Sequence, residues 1–177
     1  MIILKQPTPT DSRTKLRDLA VLGMFTALLI IGKEAMSFLP NIEPVTLLLL
    51  LLAERYRFKA LLPVYAFVLV EGFLYGVHMW FIAYLYVWTI WVLLVIALRR
   101  FSHVLFWAVA AAVYGLLFGV LTSVPYFVTG GIGGGIAYIV GGLSFDITHC
   151  IGNFAMVMIL YIPLKMLLDR LDKTRAS

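Results

Sequence analysis

Apolar runs follow one another along almost the whole of this chain, and several approach the roughly 20 residues that a helix needs to cross a bilayer. That succession decides the solvent before it decides the fold. With 63% of 177 residues hydrophobic and only 13% charged, the chain has too few polar side chains to clothe a core in water. In hydrocarbon every backbone N–H and C=O must be satisfied internally, so the runs are expected as helices. The expectation is an all-α membrane protein, a compact bundle of six transmembrane helices at 16–39, 44–54, 58–75, 80–98, 103–127 and 138–168. A segment at 1–15 precedes the transmembrane domain (16–170), and a tail at 171–177 follows it. The first run, Leu19 to Leu39, is too long for the apolar region of a signal peptide and lacks an A-x-A-like cleavage site, so it is expected to stay.

The second helix is short, its clean apolar core running only from Val45 to Ala53, and charge decides whether it crosses. Lys5, Arg13, Lys15 and Arg17 precede the first helix; Arg55, Arg57 and Lys59 follow the second; Arg99 and Arg100 follow the fourth. Lys165, Arg170, Lys173 and Arg175 end the sixth. If the second helix crosses, these residues share one face, and the positive-inside rule makes that face and both termini cytoplasmic. Lys33 alone lies elsewhere. A short second helix implies that the preceding Pro40-Asn41-Ile42-Glu43-Pro44 link dips below the outer surface, where irregular backbone is tolerated if it lines a cavity or is covered by protein. Of the other outward links, one is aromatic, Gly72 to Phe81, and one glycine-rich, Val128 to Gly142. The latter has no Lys-Ser/Thr after its glycines, so it is expected as a gate or linker and not as a phosphate loop.

The net charge of +5 does not imply nucleic acid, because the basic residues fall between apolar segments. Cys150, the single cysteine, is expected as a buried small hydrophobe. Ionisable groups within a membrane cost about 2.5–3.5 kcal/mol each, which makes Lys33, Glu34, Glu71, Asp146 and His149 candidates for function. Lys33 and Glu34, near the end of the first helix, can equally snorkel to headgroups. Asp146, His149 and Asn153 recur at i, i+3 and i+7 and therefore share one helical face, able to present acceptor, donor and amide to a polar ligand. The competing structural account is an Asp146–His149 hydrogen bond that locks helix packing, with Gly152 admitting a neighbouring helix. Asp-x-x-His offers only two ligands to a metal, and His78 and His103 are expected too far apart to complete a site. Tyr84 and Trp88 share a face suited to stacking on a planar ring, whereas Trp80 and Tyr75 are assigned to an interfacial aromatic belt. Ala20, Gly23 and Ala27 form a small-residue stripe that permits close helix contact, inside or outside the chain.

Taken together, the small stripe, the Gly32-Lys33-Glu34 and Pro40-Asn41-Ile42-Glu43-Pro44 passage, and Phe145-Asp146 with His149, Gly152 and Asn153 resemble the substrate-binding S component of energy-coupling factor (ECF) vitamin transporters. The resemblance spans nearly the whole chain and implies a prokaryotic cell-membrane protein that takes a vitamin from outside and delivers it inward. Its implied partners are a transmembrane coupling subunit and two ATPase subunits, with Ala20, Gly23 and Ala27 facing the coupling subunit. The chain has no Walker A sequence, so ATP hydrolysis falls to those partners and no cofactor is expected here. The implied pocket is closed by the link carrying Asn41 and Glu43 and lined by the fourth and sixth helices. Among S components the sequence is most similar to the cobalamin type. Two other classes compete: a structural subunit or small channel, and an intramembrane protease using Ser144, which lacks the following glycine and has His149 on its own helix.

Overall fold

The computed structural model describes residues 9–39 and 41–173, with side chains described from Leu16 to Arg170. Lys5, Pro40 and Arg175 lie outside that range, as do the side chains of Arg13, Lys15 and Lys173. All regular structure among the described residues is helical: α1 (Pro9–Ala35), α2 (Val45–Tyr56), a 3-10 turn (Arg57–Ala60), α3 (Leu61–Tyr75), α4 (Met79–Leu98), α5 (Val104–Leu116), α6 (Phe118–Thr122) and α7 (Val124–Lys173). Three stretches, Val45–Tyr75, Met79–Leu98 and Val124–Arg170, are long and apolar enough to cross a membrane by length and composition.

The path of the chain follows from a few contacts. Pro44, at the start of α2, packs against Gly32 near the end of α1, and Glu71, near the end of α3, pairs with Lys33. Lys59, before α3, pairs with Asp18 near the other end of α1. Thus α2 runs away from the Lys33 end and α3 returns to it. The reversal is made at Arg57, whose φ of 53° breaks the helix. Next, α4 descends from the end of α3 to Arg99 and Arg100, which share a recess with Glu54 and Arg55 of α2 and Lys165 of α7.

Short as it is, α2 is stable because it sits at the centre. Val45, Thr46, Leu47 and Leu49 to Ala53 are all buried, which explains why its sequence is apolar on every side. Trp91 of α4 donates to the Thr46 carbonyl at 2.9 Å. Since Trp91 lies twelve residues into α4, the first turn of α2 stands about 18 Å along α4 from its start. The space above is left to the Asn41–Pro44 link and to a cavity.

The glycine-rich segment corrects the sequence reading. Instead of a link from Val128 to Gly142 between helices at 103–127 and 138–168, helix continues through it and breaks only at Gly131 (φ 63°, ψ −164°). The chain folds back on itself there: Tyr126 stacks on Tyr138 with centroids 4.0 Å apart, Gly119 meets Asp146, and Ala111 meets Asn153. A helical hairpin results, its first arm interrupted by short breaks at Leu117 and Ser123. Helix 1 is also displaced from its expected 16–39, beginning at Pro9, inside the segment expected to precede the helices, and ending at Ala35.

Candidate functional site

Between α4, the hairpin and the link lies a cavity of about 460 Å³. Trp80 and Tyr84 line it from α4, while Phe118, Gly119 and Thr122 line it from α6. From α7 come Tyr138, Phe145 and Asp146, and Asn41 closes it from the link. The link is fixed at both ends by glycines. A Cβ at Gly32 would stand 2.6 Å from Pro44 Cγ, and one at Gly152 would stand 3.3 Å from Ile42 Cγ1. Gly152 therefore admits this link, not a neighbouring helix. Asn41 adopts φ 57°, the left-handed conformation that asparagine tolerates better than most residues.

Of the residues singled out in sequence, Asn41, Tyr84 and Asp146 line the cavity, and so does Trp80, in place of the interfacial belt expected for it. Trp88 and His149 lie behind its wall. Both pack on Phe118, with centroid separations of 5.4 Å and 4.8 Å, and both are buried. Trp88 Nε1 and both ring nitrogens of His149 have no hydrogen-bond partner. In an apolar interior such groups cost free energy until something pairs with them.

Asp146 and Asn153 are satisfied within the fold. Asp146 Oδ1 accepts from the Gly119 backbone N–H at 2.9 Å, and Asn153 Nδ2 donates to the Ala111 carbonyl at 3.1 Å. A Cβ at Gly119 would overlap the Asp146 carboxylate, and one at Gly115 would approach Asn153 Nδ2 to 2.9 Å. The hydrogen bond between Asp146 and His149 expected by the packing account, with the carboxylate accepting, is not formed. The interhelical lock exists, but it is made to backbone. Ala111, Gly115 and Gly119 form the small-residue stripe of this seam, at a spacing of four that the sequence displays and that the expected site did not include.

At the Lys33 end, Lys33 Nζ stands 2.5 Å from Glu71 Oε2 and 3.3 Å from Glu34 Oε1. Tyr75 donates to Glu34 Oε2 at 2.5 Å, and Lys33 also lies 4.7 Å from the Tyr75 ring centroid. Lys33 is thus an ion-paired residue rather than one reaching for headgroups. In the adjoining link, burial raises the Glu43 carboxyl to about 7, with Glu71 and Glu34 adding to the rise and Lys33 opposing it. Glu43 does not line the cavity, and neither do Lys33, Glu34 or Glu71.

No family model, curated protein or solved structure matches the chain.

Ala20, Gly23 and Ala27 are exposed on one face of α1, and a Cβ at Gly23 would meet nothing within 4 Å. His103 caps α5 by accepting from the Leu105 N–H at 3.3 Å, so its role there is structural. Ser144 is exposed and, with both His149 nitrogens unpartnered, the two form no nucleophile–base pair. No group of three or more metal-ligating side chains occurs among the described residues.

Proposed function

We propose that this chain is the substrate-capturing membrane subunit of a micronutrient uptake system of the ECF type. It crosses a prokaryotic cell membrane six times with both termini in the cytoplasm. What supports six crossings is the gathering of Arg55, Arg99, Arg100 and Lys165 at one end of the bundle, opposite Lys33. Cysteines replacing Arg57 or Arg100 should be protected from an impermeant reagent in intact cells. Labelling at Arg57 from outside would reject this topology.

The observation that carries the capture reading is the aromatic-walled cavity under the Asn41 link, with Asp146 in its wall and unpaired Trp88 and His149 behind it. Sites for small molecules combine apolar and aromatic walls with a few convergent polar groups in about 300–1,000 Å³. At about 460 Å³ the cavity suits a vitamin or precursor with one or two planar heteroaromatic rings. Cobalamin, to which the sequence resemblance points, is far larger and enters only if the Asn41–Pro44 link swings aside. Mass spectrometry of small molecules that co-purify with the chain separates the two. A corrinoid in the eluate selects the open link, a small heteroaromatic selects the closed one, and no enriched molecule in protein from vitamin-replete cells rejects capture.

Delivery inward belongs to a separate transmembrane coupling subunit and its two ATPases. The exposed Ala20, Gly23 and Ala27 stripe on α1 is the surface for that coupling subunit. Gly23→Leu with Ala27→Leu should abolish uptake while the isolated chain still binds its ligand. Loss of binding by the same variant would return the stripe to internal packing.

A further inference from the structure

At the end of the bundle remote from the capture cavity, α2, α4 and α7 enclose a second recess of about 500 Å³. Its walls are apolar where Leu51 and Leu168 face it, and elsewhere four cations, Arg55, Arg99, Arg100 and Lys165, outnumber the one acid, Glu54. Two of its cations are already paired. Lys165 bonds Glu54 at 3.1 Å, and both contact the Tyr161 hydroxyl; Arg55 bonds Asp169 at 3.0 Å and the Leu168 carbonyl at 3.3 Å. Arg99 and Arg100 have no acidic partner among the described residues; the Arg100 guanidinium lies only over the Phe101 ring, 5.0 Å from its centroid.

We propose that this recess binds the phosphate of an anionic phospholipid headgroup, held by Arg99 and Arg100 with its glycerol backbone against Leu51 and Leu168. Guanidinium groups match phosphate oxygens in charge and in geometry. Basic recesses between helices at the cytoplasmic interface are where anionic headgroups lodge. Cations that merely end a helix satisfy its dipole, and that role requires neither a concavity nor walls from two other helices. Apolar walls distinguish a lipid from a soluble phosphate, which would gain nothing from them. The proposal rests on the topology above for its leaflet, and not on what the capture cavity holds.

Native mass spectrometry of the detergent-purified chain, with phosphatidylglycerol or phosphatidylcholine added, tests it. Phosphatidylglycerol should be retained in preference to phosphatidylcholine. Replacing Arg99→Gln and Arg100→Gln together should weaken that retention about thirtyfold, at roughly fivefold per cation. Arg100→Glu, a change at one exposed position, should also release the lipid. Lys59→Gln, outside the recess, should not. Equal retention of both lipids, unchanged retention by the double variant, or displacement of phosphatidylglycerol by millimolar inorganic phosphate would overturn the assignment. The readout is independent of uptake, so it stands or falls apart from the proposed function, and cysteine labelling at Arg57 tests the leaflet separately.

Discussion

Asp146 and Asn153 lie on the same face of α7 as His149, yet the three meet opposite treatment. Along the hairpin seam, Asp146 and Asn153 spend their hydrogen bonds on the Gly119 and Ala111 backbone. His149, between them, is buried in T-shaped contact with Phe118 and keeps two unpaired nitrogens, as Trp88 keeps its N–H. A shared helical face therefore does not imply a shared role. The seam is finished, whereas the Trp88–Phe118–His149 cluster behind the cavity wall keeps its ring N–H and imidazole nitrogens unpaired.

The largest effect that would break this contrast is on the seam. Gly119→Leu drives a side chain into Asp146 and strips its bond, combining overpacking with an unsatisfied buried group. A loss of about 3 kcal/mol or more is expected, read as a collapse of the thermal melting midpoint in detergent. A variant that melts like the parent would show the seam to be slack. Gly131→Ala should come next, at about 1–3 kcal/mol, because φ 63° with ψ −164° lies in a region that essentially only glycine occupies.

A pair of substitutions sharpens the contrast directly. Asn153→Ala should cost about 1–2 kcal/mol of stability and leave affinity for the co-purified small molecule within about twofold. His149→Leu should do the reverse, with melting unchanged or raised and affinity reduced about tenfold by calorimetry. If the two results were exchanged, the roles assigned to seam and cluster would have to be exchanged as well. The smallest effect concerns the link over the cavity. Folded Glu43 titrates at about 7 against an ordinary 4.5, so between those values the folded chain holds a proton that the unfolded chain has lost. Stability should therefore decline as pH rises through that window and level off above it. Glu43→Gln should remove this component from melting curves recorded between about pH 4.5 and 8.

Much of the helical plan was legible because charge marks it. Arg55, Arg57 and Lys59 interrupt the apolar sequence where α2 gives way to α3, so that reversal could be placed within a few residues. The glycine-rich segment departs from its expected linker for an equally physical reason. In water each glycine costs a helix about 1 kcal/mol relative to alanine, which argues for a loop. Away from water, leaving backbone groups unsatisfied costs several kcal/mol, and the helix survives everywhere except Gly131. The candidate site was half legible. Spacing put Asp146, His149 and Asn153 on one face but was silent about what stood opposite. That information lay in Ala111, Gly115 and Gly119, 27 residues upstream of Asp146 and 42 upstream of Asn153 at its two ends, where three small residues at a spacing of four mark the surface they dock on.

The one-residue reversal at Gly131 also constrains how this protein can vary in length. Each residue added to a helix turns everything beyond it by about 100°. An insertion between Gly131 and Asp146 would swing Asp146 and Asn153 off Gly119 and Ala111 and carry His149 away from Phe118, with no slack in the turn to absorb it. Among descendants of this sequence, the stretch from Gly119 to Asp146 should keep its count of residues even where their identities drift.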